Sequence, residues 1–137
     1  MDVDSSGLEP LSRAACVELL STGTIGRIGF HTDALPVILP VAYAVDGGGI
    51  VIRVRSGSQL DAATRDAVVA FEADRVDDGA ESWSVAVTGV TSDITDPADL
   101  AGARGLPLDG WGGGSRDRFV RISLDLVSGR RAAGSPR

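Results

Sequence analysis

The sequence contains no lysine, one cysteine (Cys16) and one histidine (His31). Each shortage removes a class of chemistry. Without lysine there is no Schiff-base nucleophile and no phosphate-binding loop of the Gly-Lys-Ser/Thr type. A lone cysteine cannot close an internal disulfide, and with one histidine it cannot furnish a tetrahedral zinc site. A single histidine without a second also leaves no triad to assemble. Aromatic residues make up only 4% of the chain, so Val, Ile, Leu and Ala must fill any core. No apolar run approaches the roughly 18 residues that a membrane span requires. The opening "MDVDSSGLEP" is acidic and polar, the reverse of a secretory signal, so a cytoplasmic protein is expected.

What is present suits one domain. The chain has 137 residues, 43% of them hydrophobic. Its 13 basic residues are all arginine and face 19 acidic ones, for a net charge of −6. That balance weighs against nucleic acid and anionic membrane surfaces as partners, because both require clustered positive charge. "WGGGS" (111–115) is Gly-rich but lacks a following Gly-Lys, and "DRVDDGAE" (74–81) lacks calcium-loop spacing. Both read as loops, and no metal site is expected.

Local patterns divide the chain further. Residues 1–10 read as a flexible lead-in, 11–131 as the folded domain and 132–137 as a frayed tail. Ser12 caps a short helix "RAACVELL" that Gly23 should stop, with Cys16 on its apolar face. "TIGRIGF" (24–30), "VILPVAYAV" (37–45), "IVIRVR" (50–55), "AVVAFEAD" (67–74) and "SWSVAVTGVTSDI" (82–94) read as strands, and "RFVRISLDLVSGRR" (118–131) as one or two more. Pro40 argues for an edge strand or a bulge, "DGGG" (46–49) for a hairpin turn, and Gly89 for a bulge. "QLDAATRD" and "TDPADLAGARG" read as helices, the second with Asp96 as cap, Pro97 at its first position and Gly105 at its stop. Few segments are long enough for parallel crossovers, so the expected fold is a mainly β, antiparallel barrel with short flanking helices.

One stretch raises a functional question. In "IVIRVRSGSQL" (50–60), Arg53 and Arg55 are two residues apart and share a strand face, directly before a serine turn. On residue types alone two readings stand: solvated arginines on an edge strand, or a cradle for a bound phosphate. Trp83 likewise reads either as packing or as a ligand contact, and Trp111 as packing first, with cover for a dimer seam as the alternative.

The ordered set "LSRAACVELLSTGTIGRIGF", "LPVILPVAYAVDGGGIVIRVRSGSQL", "VVAFEAD", "SWSVAVTGV", "LPLDGW" and "FVRISLDLVSGRR" resembles the pyridoxamine 5′-phosphate oxidase-like flavin-binding split-barrel family, and most of all its small actinobacterial-type members. The resemblance implies a six-stranded antiparallel split β-barrel that forms a homodimer, with FMN in clefts lined by both subunits. It implies that Arg53, Arg55, Ser56 and Ser58 meet the FMN phosphate, with Gln59 and Leu60 beside them. Leu39, Pro40, Val41 and Ala42 would run along the isoalloxazine ring, and Trp83 and Ser84 would come from the partner subunit. No catalytic side chain is implied; the flavin would carry the chemistry of an oxidoreductase whose substrate is unknown. The alternative within the same fold is a non-catalytic protein that binds or senses flavin, deazaflavin or haem. One position departs from the pattern: small members read roughly Gly-Ser/Thr-Lys-Leu in the turn, and this chain reads Gly57-Ser58-Gln59-Leu60. Glutamine donates a hydrogen bond but brings no charge, so three readings stand: a weakened phosphate site, one that prefers a different phosphorylated ligand, or a vestigial one.

Overall fold

The computed structural model describes residues 7–77, 81–108 and 117–132. In chain order the elements are β1 (Leu8–Pro10), α1 (Arg13–Leu20), β2 (Ile25–Thr32), β3 (Leu35–Ala42), β4 (Ala44–Asp46), β5 (Gly49–Val54), α2 (Gln59–Ala63), β6 (Val68–Arg75), β7 (Trp83–Asp93), α3 (Pro97–Arg104), β8 (Arg118–Ser123) and β9 (Leu126–Ala132). The strands form one curled antiparallel sheet in the order β3-β2-β6-β7-β8-β5-β4, with β9 also on β7 and β1 on β9. This is the expected mainly β split barrel, built among the described residues from nine strands rather than six. Part of the excess is β1, which lies inside the segment read as a flexible lead-in and pairs Leu8–Pro10 with Arg130–Ala132.

The long strand β7 is where the barrel splits. One side of it pairs with β6 throughout Trp83–Val90. The other side pairs with β9 over Trp83–Thr88 and then with β8 over Thr91–Asp93. Gly89 sits at the changeover. Its pairing with Val69 is in continuous register, so it is not the bulge its sequence suggested. It is a point of close approach: a Cβ there would lie 1.8 Å from the Ser123 carbonyl oxygen. Ser123 Oγ accepts from the Val90 amide at 2.9 Å and fixes the end of β8 against this bend.

Scarce aromatics leave the barrel interior to branched aliphatics. Ile28, Ile50, Ile52, Val54, Val85, Val120 and Ile122 are fully buried around a Tyr43–Phe71 edge-to-face pair with centroids 4.8 Å apart. Cys16 packs in the same core, as its helical face suggested. A smaller cluster of Val51, Ile94, Ala103, Leu108 and Phe119 lies where α3 packs. Tyr43 also breaks the expected 37–45 strand into β3 and β4. Its amide bonds Thr24 O, and its hydroxyl donates to Leu20 O at 2.7 Å, which ties the end of α1 to the barrel. Burial and the nearby Glu72 push the phenol up to about 12. Helix α1 spans the expected "RAACVELL", and beyond it the Ser21 and Thr22 hydroxyls donate back to Glu18 O and Leu19 O.

On the outer face of β2 and β6, Arg27 is paired with Glu72 at 3.2 Å and lies 3.6 Å from Asp74. Burial, and then hydrogen bonding to Asp74, push the Glu72 carboxyl up to about 7 against the pull of Arg27. The folded protein therefore holds a proton that the unfolded chain releases near its ordinary value of 4.5. The stability this contributes is full below that value and is lost as pH rises through about 7.

Gly89→Ala should lower unfolding free energy in urea by about 3 kcal/mol, since the obstruction is backbone. Gly102→Ala, in helix α3 with open space around the added methyl, should raise it by about 0.5–1 kcal/mol. The midpoint of thermal unfolding should fall between pH 5 and 8, and Glu72→Gln should flatten that fall; an unchanged slope in the variant would assign the effect elsewhere.

Candidate functional site

Strand β5 pairs with β4 on one side and β8 on the other. The β4 pairing covers only residues 49–51, so at Arg53 one side of β5 is unpaired; Arg53 is nonetheless half-buried, while Arg55 is exposed. Ile50, Ile52 and Val54 point into the barrel, and Arg53 projects the other way, half-buried. Arg55 follows just past the strand end, and both arginines line the same cleft, as the two-residue spacing predicted. Arg53 Nε donates to Asp117 Oδ2 at 2.9 Å, and its guanidinium lies 5.9 Å from the Phe119 ring centroid. The Arg53 side chain is 24% exposed and that of Asp117 only 4%.

The opposite wall is β3. Leu39, Pro40, Val41 and Ala42 line it; Arg53, Arg55, Ser58, Gln59, Leu60, Leu108 and Asp117 complete a cleft of about 200 Å³. Strand β3 is an edge strand, the first of the two placements that Pro40 suggested. It meets β5 without pairing to it, and the cleft lies along that unpaired seam.

The turn after β5 is held from within. Gly57 adopts a left-handed φ of +82°. Its amide donates to Asp61 Oδ2 at 3.0 Å. The Ser58 hydroxyl donates to Arg55 O at 2.7 Å and accepts from the Asp61 amide at 3.2 Å, capping α2. Thus Ser58 is a cap, and its one hydroxyl hydrogen is committed inside the turn. Asp61 is held in turn by Arg118, whose Nη1 donates to Asp61 Oδ1 at 2.7 Å and to Asp61 O at 3.0 Å. The same guanidinium reaches Thr64 Oγ1 and Thr64 O, both at 3.3 Å, and the Asp93 carboxylate. The Gly57 amide first, and Arg118 next, hold the Asp61 carboxyl below the usual carboxylate range. Asp93 first, with Asp61, raises the Arg118 guanidinium against its burial. One arginine on β8 therefore fixes the turn that presents Ser58 and Gln59 to the cleft.

Nine of the twelve residues expected at a cofactor site line this cleft. The other three do not in this chain. Ser56 is an exposed turn residue. Trp83 begins β7 between Arg75 and Arg131, half-buried. Ser84 lines a separate shallow groove with Pro10, Ala86 and Ser128. Trp111 lies outside the described residues. His31 is exposed on β2, opposite Pro36. Sequence reasoning missed Leu108, Asp117 and Arg118. The last two follow only from the register that sets Arg53 against Phe119 and Val54 against Arg118. Among the described residues no group of three or more His, Cys, Asp or Glu is placed to hold a metal, and no helix is long and apolar enough to cross a membrane.

An apolar strand wall facing two guanidinium groups across an unpaired barrel seam defines a class of site, and comparison with known proteins places the chain in a family. Residues 12–131 match the family model described as pyridoxamine 5′-phosphate oxidase, and the chain belongs to that family. An uncharacterised protein of Mycobacterium tuberculosis, Rv0080, is 34% identical over 133 residues, which span 93% of this chain and 87% of that one. A solved FAD-binding protein from Mycobacterium smegmatis is 32% identical with a TM-score of 0.77, over 90% of this chain and 96% of that one. A conserved protein of unknown function from Corynebacterium diphtheriae is 27% identical with a TM-score of 0.75, over 93% and 99%.

The Arg118 arrangement gives a direct test. Arg118→Leu should lower Tm by about 5 °C, since it strips charged hydrogen bonds from helix α2, its C-cap Thr64 and the end of β7. Arg65→Met removes only an exposed partner of the same Asp61 and should shift Tm by less than about 1 °C. Equal shifts would show that Arg118 is not the tie.

Proposed function

We propose that this chain binds a flavin nucleotide in the cleft between β3 and β5. The observation that carries the reading is the pairing of opposites across one cleft: an aliphatic wall from Leu39 to Ala42, and the cations Arg53 and Arg55. A planar, largely apolar ring with a charged phosphate tail matches that division. Guanidinium groups offer forked donors to phosphate oxygens, and the Gln59 amide adds a neutral one. The naming of the similar M. smegmatis protein as FAD-binding supports the same ligand class. FMN is the smallest flavin that carries the phosphate this cleft needs.

A bound flavin supplies hydride or electron transfer, and the protein orients it and shields it from water. The reading therefore extends to an oxidoreductase. The commitment of the Gly57 and Ser58 donors, with Gln59 uncharged, favours a second reading: a binding or sensing protein in which the flavin is held but not turned over.

A second copy of the chain is part of this proposal. The cleft, at about 200 Å³, is smaller than the roughly 300–1,000 Å³ of sites that enclose such ligands, so one chain holds only part of a flavin. The outer sheet face exposes Ile38, Val68, Val90 and Leu126, with Gly29 and Ala70 between them in register. Burial of that face in a homodimer fits both facts.

Titration of the purified chain with FMN, followed by flavin fluorescence and visible absorbance, tests the reading. Saturable binding at micromolar concentration is expected. Arg53→Ala should weaken it at least about tenfold, whereas Arg13→Ala, whose side chain bonds Leu124 O, should leave it unchanged. Gln59→Lys should strengthen it. No saturable change with any flavin up to high micromolar concentration would sink the proposal.

A further inference from the structure

Resting on the homodimer reading, we propose that the cluster Arg27–Glu72–Asp74 lies within the face that a second copy of the chain covers, and that the dimer takes up protons there as it forms, tightening in acid and loosening in mild alkali. The registers lay this face out in rows. Ile38, Gly29, Ala70, Thr88 and Leu126 form one row across β3, β2, β6, β7 and β9, with Ile38 and Leu126 exposed. Pro40, Arg27, Glu72, Ala86 and Ser128 form the next. Successive rows are about 6.7 Å apart and strands about 4.8 Å, so five strands give each row an area of only about 160 Å². A stable dimer covers about 800 Å² of each partner. Cover for the apolar row therefore extends over the charged row beside it. The exposed neighbours of Glu72, namely Ala70, Ala86 and Ser128, are too small to hold a second copy away from its carboxyl.

The charges of this row are coupled. Arg27 Nη1 lies 3.2 Å from Glu72 Oε1 and 3.6 Å from Asp74 Oδ2, so two carboxyls share one guanidinium nitrogen. Strands β3 and β7 present Pro40 and Ala86 beside the pair, and Arg130 on β9 lies across Ser84 from Asp74. His31 is two rows away along β2. The buried Tyr43 phenol, pushed up to about 12, stays neutral throughout. Burial first, and Asp74 next, already push Glu72 up to about 7 in the single chain. Protonated, Glu72 donates to Asp74, and Arg27 is left with one carboxylate to balance. Ionised, Glu72 adds a second negative charge that must lose its water beneath the partner, and burial penalises that form. The dimer therefore holds protons that the free chains release. The tightening this contributes is full below about 7 and is lost as pH rises through the higher value in the dimer. In a two-fold dimer the cluster occurs twice, so up to two protons are taken up.

The dissociation constant of the full chain, measured by sedimentation velocity over a dilution series, tests this. It should rise at least about tenfold from about pH 6.5 to about pH 8.5, since each proton taken up permits about tenfold per pH unit. Where the dimer outlasts the dilution, subunit exchange between isotope-labelled and unlabelled chains should quicken by a similar factor, because affinity differences lie mostly in the off-rate. Glu72→Gln should flatten the dependence to less than about threefold, as should Asp74→Asn, which leaves Arg27 a single carboxylate. His31→Asn, on the same strand, should keep it in full. A wild-type constant that moves less than about threefold or falls with pH would overturn the proposal and leave the dimer standing. So would full dependence in Glu72→Gln or its loss in His31→Asn. A chain that stays monomeric to high micromolar concentration at every pH would defeat the homodimer reading and the proposal with it.

Discussion

The seam between β3 and β5 is the constraint from which the rest of the architecture follows. The sheet curls far enough to bring β3 beside β5, yet the two do not hydrogen-bond. Pro36 and Pro40 on β3 have no N–H to offer a further strand. Tyr43 then turns the chain out of β3 and into β4, which pairs with β5 from the far side. Closure is thus prevented by residue chemistry, and an open apolar strand face remains where a closed barrel would have a ladder. Gly89 works at the opposite end of the same problem. It lets β7 exchange β9 for β8 by allowing the Ser123 carbonyl to approach, so the sheet divides without losing its pairing to β6. A barrel with an open seam and a split sheet is a scaffold for a long ligand lying in a groove.

The electrostatics of the groove are set by elements that lie behind it. Arg118 faces away from the cleft, yet through Asp61 it fixes Gly57 and Ser58. This makes the turn stiff and also uses its two most obvious anion donors internally. Among the described residues, the charged groups that line the cleft are two guanidinium groups and one buried carboxylate. Under the proposed reading, a phosphate there would meet guanidinium donors and little adjustable hydroxyl chemistry. Preorganisation of this kind favours discrimination between ligands by charge and shape over raw affinity.

Features set by neighbouring residues were legible in the sequence. The caps Ser12 and Asp96, Pro97 at a first helical position and the left-handed glycines of "DGGG" were all readable because each acts within about four residues. The cleft wall at Leu39–Ala42 and the pair Arg53 and Arg55 were legible as well, through strand periodicity and a family resemblance carried by the order of motifs. What stayed hidden depends on register. The three-residue strand β1 exists only because residues 130–132 lie beside it. The break at Tyr43 looks like continuous strand until its hydroxyl finds Leu20 O, 23 residues away. Asp117 reads as a loop aspartate until β8 sets it beside Arg53, 64 residues away.

That last juxtaposition bears on how far a family pattern transfers. Position 59 can be judged against a motif because the turn is local, and on that basis alone glutamine reads as a simple loss of one charge. Asp117 has no such local motif to be judged against: it meets Arg53 from 64 residues away, so its place beside the cleft follows only from register. A decayed phosphate site would be expected to lose its arginines to neutral residues or to leave them solvated. Here Arg53 remains half-buried, ion-paired and packed near Phe119, which costs desolvation that a disused site has no reason to maintain.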